Sequence, residues 1–258
     1  MLEHKRVVLI PGWNEGADGM RLFVDGRRRH PGLKALGFDC AIFSGGTGSL
    51  TDRIDQLKAY LDGLNATNSE APPVALFGYS AGGLIARGLV RAYPECRIAA
   101  IFQLATPNAG IASDRLAGLF HRAHYEKSAL EDLDVESPFM LWLNETGGHW
   151  ENGNDKRDRK WKLDRKPWVM RAGIPILNLI GRMPRYGNIS DGVVSIDSAT
   201  LEGAMPSEMI DGNAANHLNL SGTWNPLTLT MRRWLPNDRC WPIAVARAAQ
   251  FFKTAGLA

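Results

Sequence analysis

The chain alternates short apolar runs with stretches whose apolar residues recur at helical spacing. Runs rich in β-branched residues and bounded by Gly, Pro or polar residues predict buried strands. We predict five such strands, at residues 6–10, 38–43, 74–77, 98–104 and 174–180. Helices are predicted from about Thr51, where four apolar residues between Ile54 and Leu64 share one face, and over residues 84–90. This order predicts an α/β fold, with a mostly parallel sheet and helices on both of its faces.

Further local signals mark the starts of helices. Ser49 and Asp52 have the spacing of a capping box ahead of the first predicted helix. Pro226 and Pro242 precede the apolar-periodic stretches LTLTMRRWL and IAVARAAQFF, and proline is favoured in the first turn of a helix. We therefore predict two more helices after the fifth strand.

Residues 111–173, between the fourth and fifth predicted strands, interrupt this alternation of strands and helices. They contain Gly147-Gly148, several tryptophans and the charged run NDKRDRKWKLDRK, and they are too long for a plain connection. We interpret them as an insertion that folds over the carboxyl edge of the sheet as a cap or lid. The alternative is an exposed surface segment whose mixed charges serve only to keep it soluble. Because 258 residues with 45% hydrophobic content suit one large core, residues 1–258 are predicted to form a single domain.

Charge and cysteine content narrow the class of protein. The net charge is +3, from 30 basic and 27 acidic residues, which is too small a surplus to indicate a nucleic-acid partner. The first apolar run lacks the length of a secretory signal, and no stretch approaches the roughly 18 apolar residues of a membrane span. A cytoplasmic protein is therefore expected.

Cys40, Cys96 and Cys240 have no metal-ligand spacing, and they are predicted to be buried or neutral thiols rather than a disulfide.

Residues 78–82, Gly-Tyr-Ser-Ala-Gly, match the pattern G-x-S-x-G. The bare pattern is weak, but here it directly follows the apolar run VALF and precedes the helix-like GLIARGLV. A sharp turn from strand to helix exposes a serine hydroxyl at the sheet edge, and it leaves no room for side chains at the two glycines. We therefore predict that Ser80 is a nucleophile, rather than part of an ordinary glycine-rich turn.

A serine hydroxyl attacks only when a base removes its proton, and the base needs an orienting acid. After a nucleophile turn of this kind, the acid and then the histidine follow along the chain. His217 is the predicted base, because the other five histidines precede Ser80 or fall within residues 111–173. Asp191, in the loop after the fifth strand, is the predicted acid. Three carboxylates compete with it: Asp197, which is the main alternative, Glu202, and Asp211 on or beside a last short strand.

A tetrahedral intermediate needs two backbone N–H donors aimed at its oxyanion. One is predicted to be the amide of Ala81, which follows the nucleophile. The other is expected from Trp13, in the Pro11-Gly12-Trp13 loop after the first strand. Gly12 would permit the backbone angle that turns this amide inward, and the alternative is that Pro-Gly forms only a turn.

These residues, taken in their order along the chain, resemble the α/β-hydrolase superfamily and, within it, bacterial lipases and esterases. The blocks that carry the resemblance are PGW after the first strand, GYSAGG, ATPNAG at residues 105–110, SDGVVS and NHLNL. The resemblance covers the chain apart from the insertion, which stands where the family has its lid. Family lipases often have His-Gly where this chain has Pro11-Gly12, and an aspartate calcium ligand where it has Asn219. No bound metal is therefore expected.

The resemblance implies a serine esterase or lipase of lipid metabolism, which forms an acyl-enzyme on Ser80 with the help of His217 and Asp191. Short to medium acyl esters are the expected substrates, and no cofactor is expected. The expected partners are a small-molecule or lipid ester and, transiently, a lipid interface. Thioesterases, amidases and acyltransferases use the same residues, so these activities remain alternatives. A non-catalytic binding module is the remaining alternative, disfavoured because such modules usually lack one member of the triad.

Overall fold

The computed structural model describes residues 6–13, 16–27, 29–64, 71–112, 127–144, 148–151, 160–163, 173–184, 190–201, 203–212, 215, 217, 220 and 240–257. These ranges contain the strands β1 (Arg6–Ile10), β2 (Gly26–Arg27), β3 (His30–Pro31), β4 (Asp39–Ile42), β5 (Val74–Tyr79), β6 (Ile98–Leu104), β7 (Gly148–Glu151), β8 (Lys160–Leu163), β9 (Ile176–Arg182) and β10 (Ser207–Asp211). They contain the α-helices α1 (Arg21–Asp25), α2 (Leu50–Gly63), α3 (Ala81–Ala92), α4 (Lys127–Asp132), α5 (Pro138–Asn144), α6 (Ile196–Thr200) and α7 (Trp241–Phe252).

Six of the strands form one parallel sheet in the order β10-β9-β6-β5-β1-β4. The predicted α/β fold with a mostly parallel sheet is confirmed. The carboxyl ends of parallel strands meet at one edge, where such folds bind their ligands. The segments that follow β1, β5 and β9 therefore meet at this edge. β2 with β3, and β7 with β8, form two separate antiparallel pairs.

Both faces of the sheet are covered, which explains why its strands read as continuous apolar runs. Successive side chains of a strand point to opposite faces. Val8 and Ile10 of β1 belong to the apolar cluster that includes residues of α2 and α3. Val7 and Leu9 belong to the cluster that includes residues of α1 and α7. The sheet is thus the middle layer between two layers of helices.

The observed bounds differ from the predicted ones at the ends of four elements. β4, predicted over residues 38–43, spans Asp39–Ile42. β5 runs two residues further than predicted, to Tyr79, and α3 begins directly after Ser80. The fifth predicted strand begins at Ile176 instead of residue 174. Pro175 explains this shift, because proline has no backbone N–H to donate to a neighbouring strand.

The predicted helix starts are found where the structure describes them. The backbone N–H of Asp52 donates to Ser49 Oγ at 3.1 Å. The backbone N–H of Ser49 donates to Asp52 Oδ2 at 2.8 Å, so the predicted capping box is present. Pro242 lies in the first turn of α7, also as predicted. Pro226 lies outside the described residues.

The described parts of the insertion pack against the sheet's helices and strands. Phe139 and Leu143 of α5 are buried in the same apolar cluster as the residues of α2 and α3. The carboxylate of Asp132, in α4, accepts a hydrogen bond of 2.7 Å from the backbone N–H of Leu50 at the start of α2. Part of the charged run forms strand β8, which lies next to α6. Helix α6 and the start of α2 each follow the carboxyl end of a sheet strand. The described parts of the insertion therefore reach the carboxyl edge of the sheet.

All three cysteines are free thiols, as predicted. Burial is the main cause that raises the pKa of Cys40 to about 12 and that of Cys96 to about 11. These thiols are therefore neutral at physiological pH.

Within the described ranges, no helix has the length and apolar character that crossing a membrane requires.

Candidate active site

Ser80 occupies a strained turn between β5 and α3. Its backbone has φ 51° and ψ −123°, values that residues other than glycine rarely adopt. The turn is held by the Ser80 N–H, which donates to Leu104 O at 2.8 Å, and by the Gly83 N–H, which donates to Ser80 O at 3.0 Å. The geometry is the sharp strand-to-helix turn that the sequence predicts for a nucleophile.

The two glycines of the G-x-S-x-G pattern are required for space. A Cβ on Gly78 would lie 2.5 Å from the backbone Cα and N of Gly83. A Cβ on Gly82 would lie 2.3 Å from the carbonyl oxygen of Ile10. Both contacts are with backbone atoms that cannot move aside. The predicted reason for these glycines, the lack of room for side chains, is therefore confirmed.

Ser80, His217 and Asp191 come together at the carboxyl edge of the sheet. His217 Nε2 lies 3.0 Å from Ser80 Oγ, and His217 Nδ1 lies 2.7 Å from Asp191 Oδ2. The side chain of Asp191 is fully buried and that of His217 is 8% exposed. A continuous chain of hydrogen bonds therefore runs from the carboxylate through the imidazole to the hydroxyl.

The turn around Asp191 fixes the direction of its carboxylate. Asp191 Oδ1 accepts hydrogen bonds from the backbone N–H groups of Val193 and Val194, at 2.9 and 2.8 Å. The hydroxyl of Ser190 donates to Val194 O at 2.9 Å and closes the same turn. With one oxygen held in this way, the other faces His217.

The structure describes two of the three competing acids. Asp197 is exposed at the start of α6. Asp211 is the last residue of β10, as predicted, and it pairs with Arg182 at 2.5 and 2.8 Å. Glu202 lies outside the described residues. The structure therefore brings Asp191, and neither Asp197 nor Asp211, to His217.

The loop after β1 lies beside the nucleophile, although the reason predicted for its glycine is wrong. Gly12 does not have the left-handed φ that would require glycine. Instead, a Cβ at Gly12 would lie 3.2 Å from Ser80 Cβ, a tight contact that glycine avoids in this close approach. Trp13 is half-buried against the core, and Ala81 is the first residue of α3. That their amides stabilise an oxyanion stays a prediction.

A buried polar network below the site was not predicted. Arg87 of α3 is fully buried and donates to the carbonyl oxygen and to Oδ1 of Asn108, at 3.1 and 3.0 Å, and to Asn144 Oδ1 at 2.7 Å. Gln103 Nε2 donates to Gly83 O and to Asn108 Oδ1, both at 3.0 Å. Burial lowers the pKa of Arg87 to about 9, with a smaller contribution from Arg91. The signals in the sequence were the charged Arg87 inside the apolar run GLIARGLV and the polar Asn108 inside the ATPNAG block.

Within the described ranges, no group of three His, Cys, Asp or Glu residues is placed to hold a metal ion. Asn219 lies outside these ranges, so the prediction that it prevents calcium binding stays a prediction.

Comparisons with known proteins agree with this architecture. No family model matches the chain. The chain is 23% identical over 222 residues to the lysosomal thioesterase PPT2 homolog of Drosophila melanogaster, covering 84% of this chain and 71% of that protein. It is similar to the mature lipase BlEst2 of Bacillus licheniformis, with a TM-score of 0.56 and 15% identity over 89% of this chain and 92% of the lipase. It is also similar to the metagenomic carboxyl esterase MGS0156, with a TM-score of 0.58 and 16% identity over 97% of this chain and 76% of the esterase.

Proposed function

We propose that this chain, which has the α/β-hydrolase fold, is a serine hydrolase that cleaves carboxylic esters through an acyl-enzyme on Ser80. One observation carries the proposal. The carboxylate of Asp191, the imidazole of His217 and the hydroxyl of Ser80 are joined by contacts of 2.7 and 3.0 Å. The arrangement has the roles and geometry by which such triads are recognised, whatever their positions along the chain.

The first half of the reaction forms the acyl-enzyme. His217 Nε2 takes the proton from Ser80 Oγ as that oxygen bonds to the ester carbonyl carbon, whose oxygen becomes an oxyanion. Asp191 keeps the proton on Nδ1 and stabilises the imidazolium. When the intermediate collapses, the bond to the alcohol oxygen breaks, and His217 gives its proton to the departing alcohol.

The second half releases the acid. A water molecule gives a proton to His217 and attacks the acyl carbon, and the bond to Ser80 Oγ breaks as that oxygen regains the proton. The amides of Ala81 and Trp13 serve as the oxyanion donors in both halves. Gly12 supports this role for the loop, because its close approach brings the loop next to Ser80.

The expected substrate is a small-molecule or lipid ester with a short to medium acyl chain. The insertion, residues 111–173, acts as a cap over the site, within a single domain of residues 1–258. The support for a cap is that the insertion approaches the carboxyl edge of the sheet. Asp132 accepts a hydrogen bond from the start of α2, and β8 lies beside α6. Contact with a lipid interface would then be transient.

A thioesterase is the second candidate, favoured by the name of the Drosophila relative. The triad chemistry is unchanged when a thiolate replaces the alcohol as the leaving group. The two candidates differ only in the group that departs with the proton from His217. A comparison of an oxygen ester and a thioester with the same acyl chain therefore distinguishes them.

The test is a panel of nitrophenyl esters of graded chain length and matched acyl thioesters, with wild type, Ser80→Ala and His217→Ala. Wild type is expected to hydrolyse the panel, and each variant is expected to lose several orders of magnitude in kcat. Because triad members act as a unit, the double variant should be hardly worse than either single one. Circular dichroism of the variants controls for folding. Retention of more than roughly a tenth of wild-type turnover in a folded single variant would refute the triad.

A further inference from the structure

Tyr79, the residue directly before the nucleophile, reaches the segment that carries the base. Its side chain is buried, and its hydroxyl donates a hydrogen bond of 2.9 Å to the backbone carbonyl oxygen of His217. Its ring centroid lies 5.4 Å from that of the His217 imidazole, with 38° between the ring planes. The last residue of β5 is thus joined to a residue 138 positions later in the chain.

Both backbone polar groups of His217 are held by neighbours of the site. The N–H of His217 donates to Asp191 O at 3.0 Å, while its carbonyl accepts from the Tyr79 hydroxyl. The side chain is held by the carboxylate of Asp191 at 2.7 Å. The Tyr79 hydroxyl therefore holds the carbonyl side of the His217 backbone, opposite the N–H that Asp191 holds.

The ring of Tyr79 also contacts the loop that is expected to supply an oxyanion donor. A Cβ on Gly12 would lie 3.1 Å from Tyr79 Cδ1 and 3.2 Å from Tyr79 Cε1. Glycine at this position therefore leaves the space that the ring fills. Tyr79 has the oxyanion loop and the imidazole as neighbours, and it adjoins Ser80 in the chain.

From these contacts we infer that Tyr79 is a positioning residue, whose hydroxyl holds the backbone of His217 so that Nε2 stays within hydrogen-bond distance of Ser80 Oγ. This inference rests on the proposed function. Proton transfer in the transition state depends on that distance, and small displacements of a catalytic group are costly. Substrate binding does not depend on it, so loss of the hydroxyl should lower kcat and leave KM unchanged.

The test compares Tyr79→Phe with Tyr60→Phe. Phenylalanine keeps the ring of Tyr79 and removes only the oxygen that contacts His217. Tyr60, in α2, is the matched control because its hydroxyl also donates to a backbone carbonyl, that of Ile42 at 3.1 Å. Ile42 belongs to β4, the edge strand of the sheet, which is not a neighbour of β5. We expect a roughly tenfold fall in kcat for Tyr79→Phe, equal to about 1.4 kcal/mol of activation free energy, with KM within about twofold. Tyr60→Phe should keep wild-type kcat and KM.

Two further measurements separate positioning from a general loss of stability. Titration with a fluorophosphonate gives the fraction of each preparation that is competent, so kcat is stated per active site even if Tyr79→Phe folds poorly. The low-field proton resonance of the hydrogen bond between His217 Nδ1 and Asp191 reports the position of the imidazole directly. We expect this resonance to shift or broaden in Tyr79→Phe and to stay unchanged in Tyr60→Phe.

Wild-type kcat per active site together with an unchanged resonance in Tyr79→Phe would overturn the inference. An equal fall in kcat in both variants would also overturn it, because the effect would then be one of stability. Failure of the proposed function has a different signature, in which wild type is inactive or Ser80→Ala remains active. The fluorophosphonate and the ester panel detect that case before Tyr79 is tested.

Discussion

At the scale of the residue, strained backbone marks the ends of two neighbouring strands. Ser80 follows β5 with φ 51°, and Ala105 follows β6 with φ 53°. Such conformations cost about 1–3 kcal/mol each for residues other than glycine, so they persist only where their surroundings impose them. Ser80 N–H donates to Leu104 O and Ala105 N–H donates to Leu179 O, both at 2.8 Å. The ladder between parallel strands thus continues past their ends and holds both strained residues.

The choice of acid is tested at a single residue. Asp191→Asn keeps an oxygen for the backbone donors of its turn but presents an amide N–H to His217 Nδ1, which forces the wrong tautomer. We expect turnover to fall by roughly a hundredfold or more. Asp197→Asn is the matched control, since Asp197 is exposed, and its activity should equal that of wild type. Steady-state kinetics on one nitrophenyl ester decide the matter, and a damaging Asp197→Asn beside a nearly silent Asp191→Asn would reverse the assignment.

At the scale of the elements, Asn108 joins the parts that surround the triad. Its Oδ1 accepts from Arg87 of α3 and from Gln103 of β6, both at 3.0 Å. Its Nδ2 donates to the carbonyl of Ala199, in α6 beyond the Asp191 turn, at 2.9 Å. Its own carbonyl accepts from Asn144 of the insertion at 3.2 Å. The nucleophile helix, the acid segment and the insertion therefore share one set of hydrogen bonds.

We expect Asn108→Ala to lower the free energy of unfolding by about 3 kcal/mol, because it removes the side-chain acceptor that Arg87 and Gln103 share and the N–H donor that Gln103 Oε1 accepts from Asn108. Ser49→Ala, which removes only the cap of α2, is expected to cost about 1 kcal/mol and sets the scale of a solvent-accessible hydrogen bond. Urea unfolding followed by circular dichroism measures both. Equal losses for the two variants would show that the network contributes no more than a surface cap.

At the scale of the whole molecule, the sheet and the insertion are joined by apolar and polar contacts. Phe139 and Leu143 share an apolar cluster with residues of α2 and α3, and Asp132 caps the first turn of α2. Leu141 and Trp142 of α5 are 42% and 36% exposed, and Arg91 of α3 lies 5.0 Å above the Trp142 ring. These attachments favour a cap that is fixed to the sheet layer over a lid that swings freely.

A fixed cap predicts how the rate responds to a lipid surface. A mobile lid exposes apolar area when it opens, which is costly in water and favourable at a droplet. With a fixed cap, we expect the rate on a short triglyceride to follow a smooth saturation curve through the solubility limit. The measurement is the initial rate against substrate concentration on both sides of that limit, with Ser80→Ala as the blank. A sharp rise in the rate when droplets form would show a mobile lid and a true lipase.

The sequence by itself determined what depends on a few neighbouring residues. Apolar periodicity located β1 and β6 to the residue, because strand formation requires a local run of buried side chains. The capping box at Ser49 was predicted for the same reason, since its hydrogen bonds join residues three apart. The turn at Ser80 was predicted from the local G-x-S-x-G pattern and the apolar runs on either side of it. The order of acid and histidine along the chain then sufficed to select His217.

Only the tertiary structure decided which distant groups meet. Asp191 and His217 are 26 residues apart and His217 and Ser80 are 137 apart, so nothing local distinguishes Asp191 from the other late carboxylates. Spacing alone could not show that Gly12 serves a close approach rather than a special φ, because the atoms that a side chain there would crowd belong to Tyr79 and Ser80. Contacts of this kind arise only when the sheet brings the ends of its strands to one edge. The sequence predicted the candidate residues of the site, and the packing of the sheet determined which groups each of them contacts.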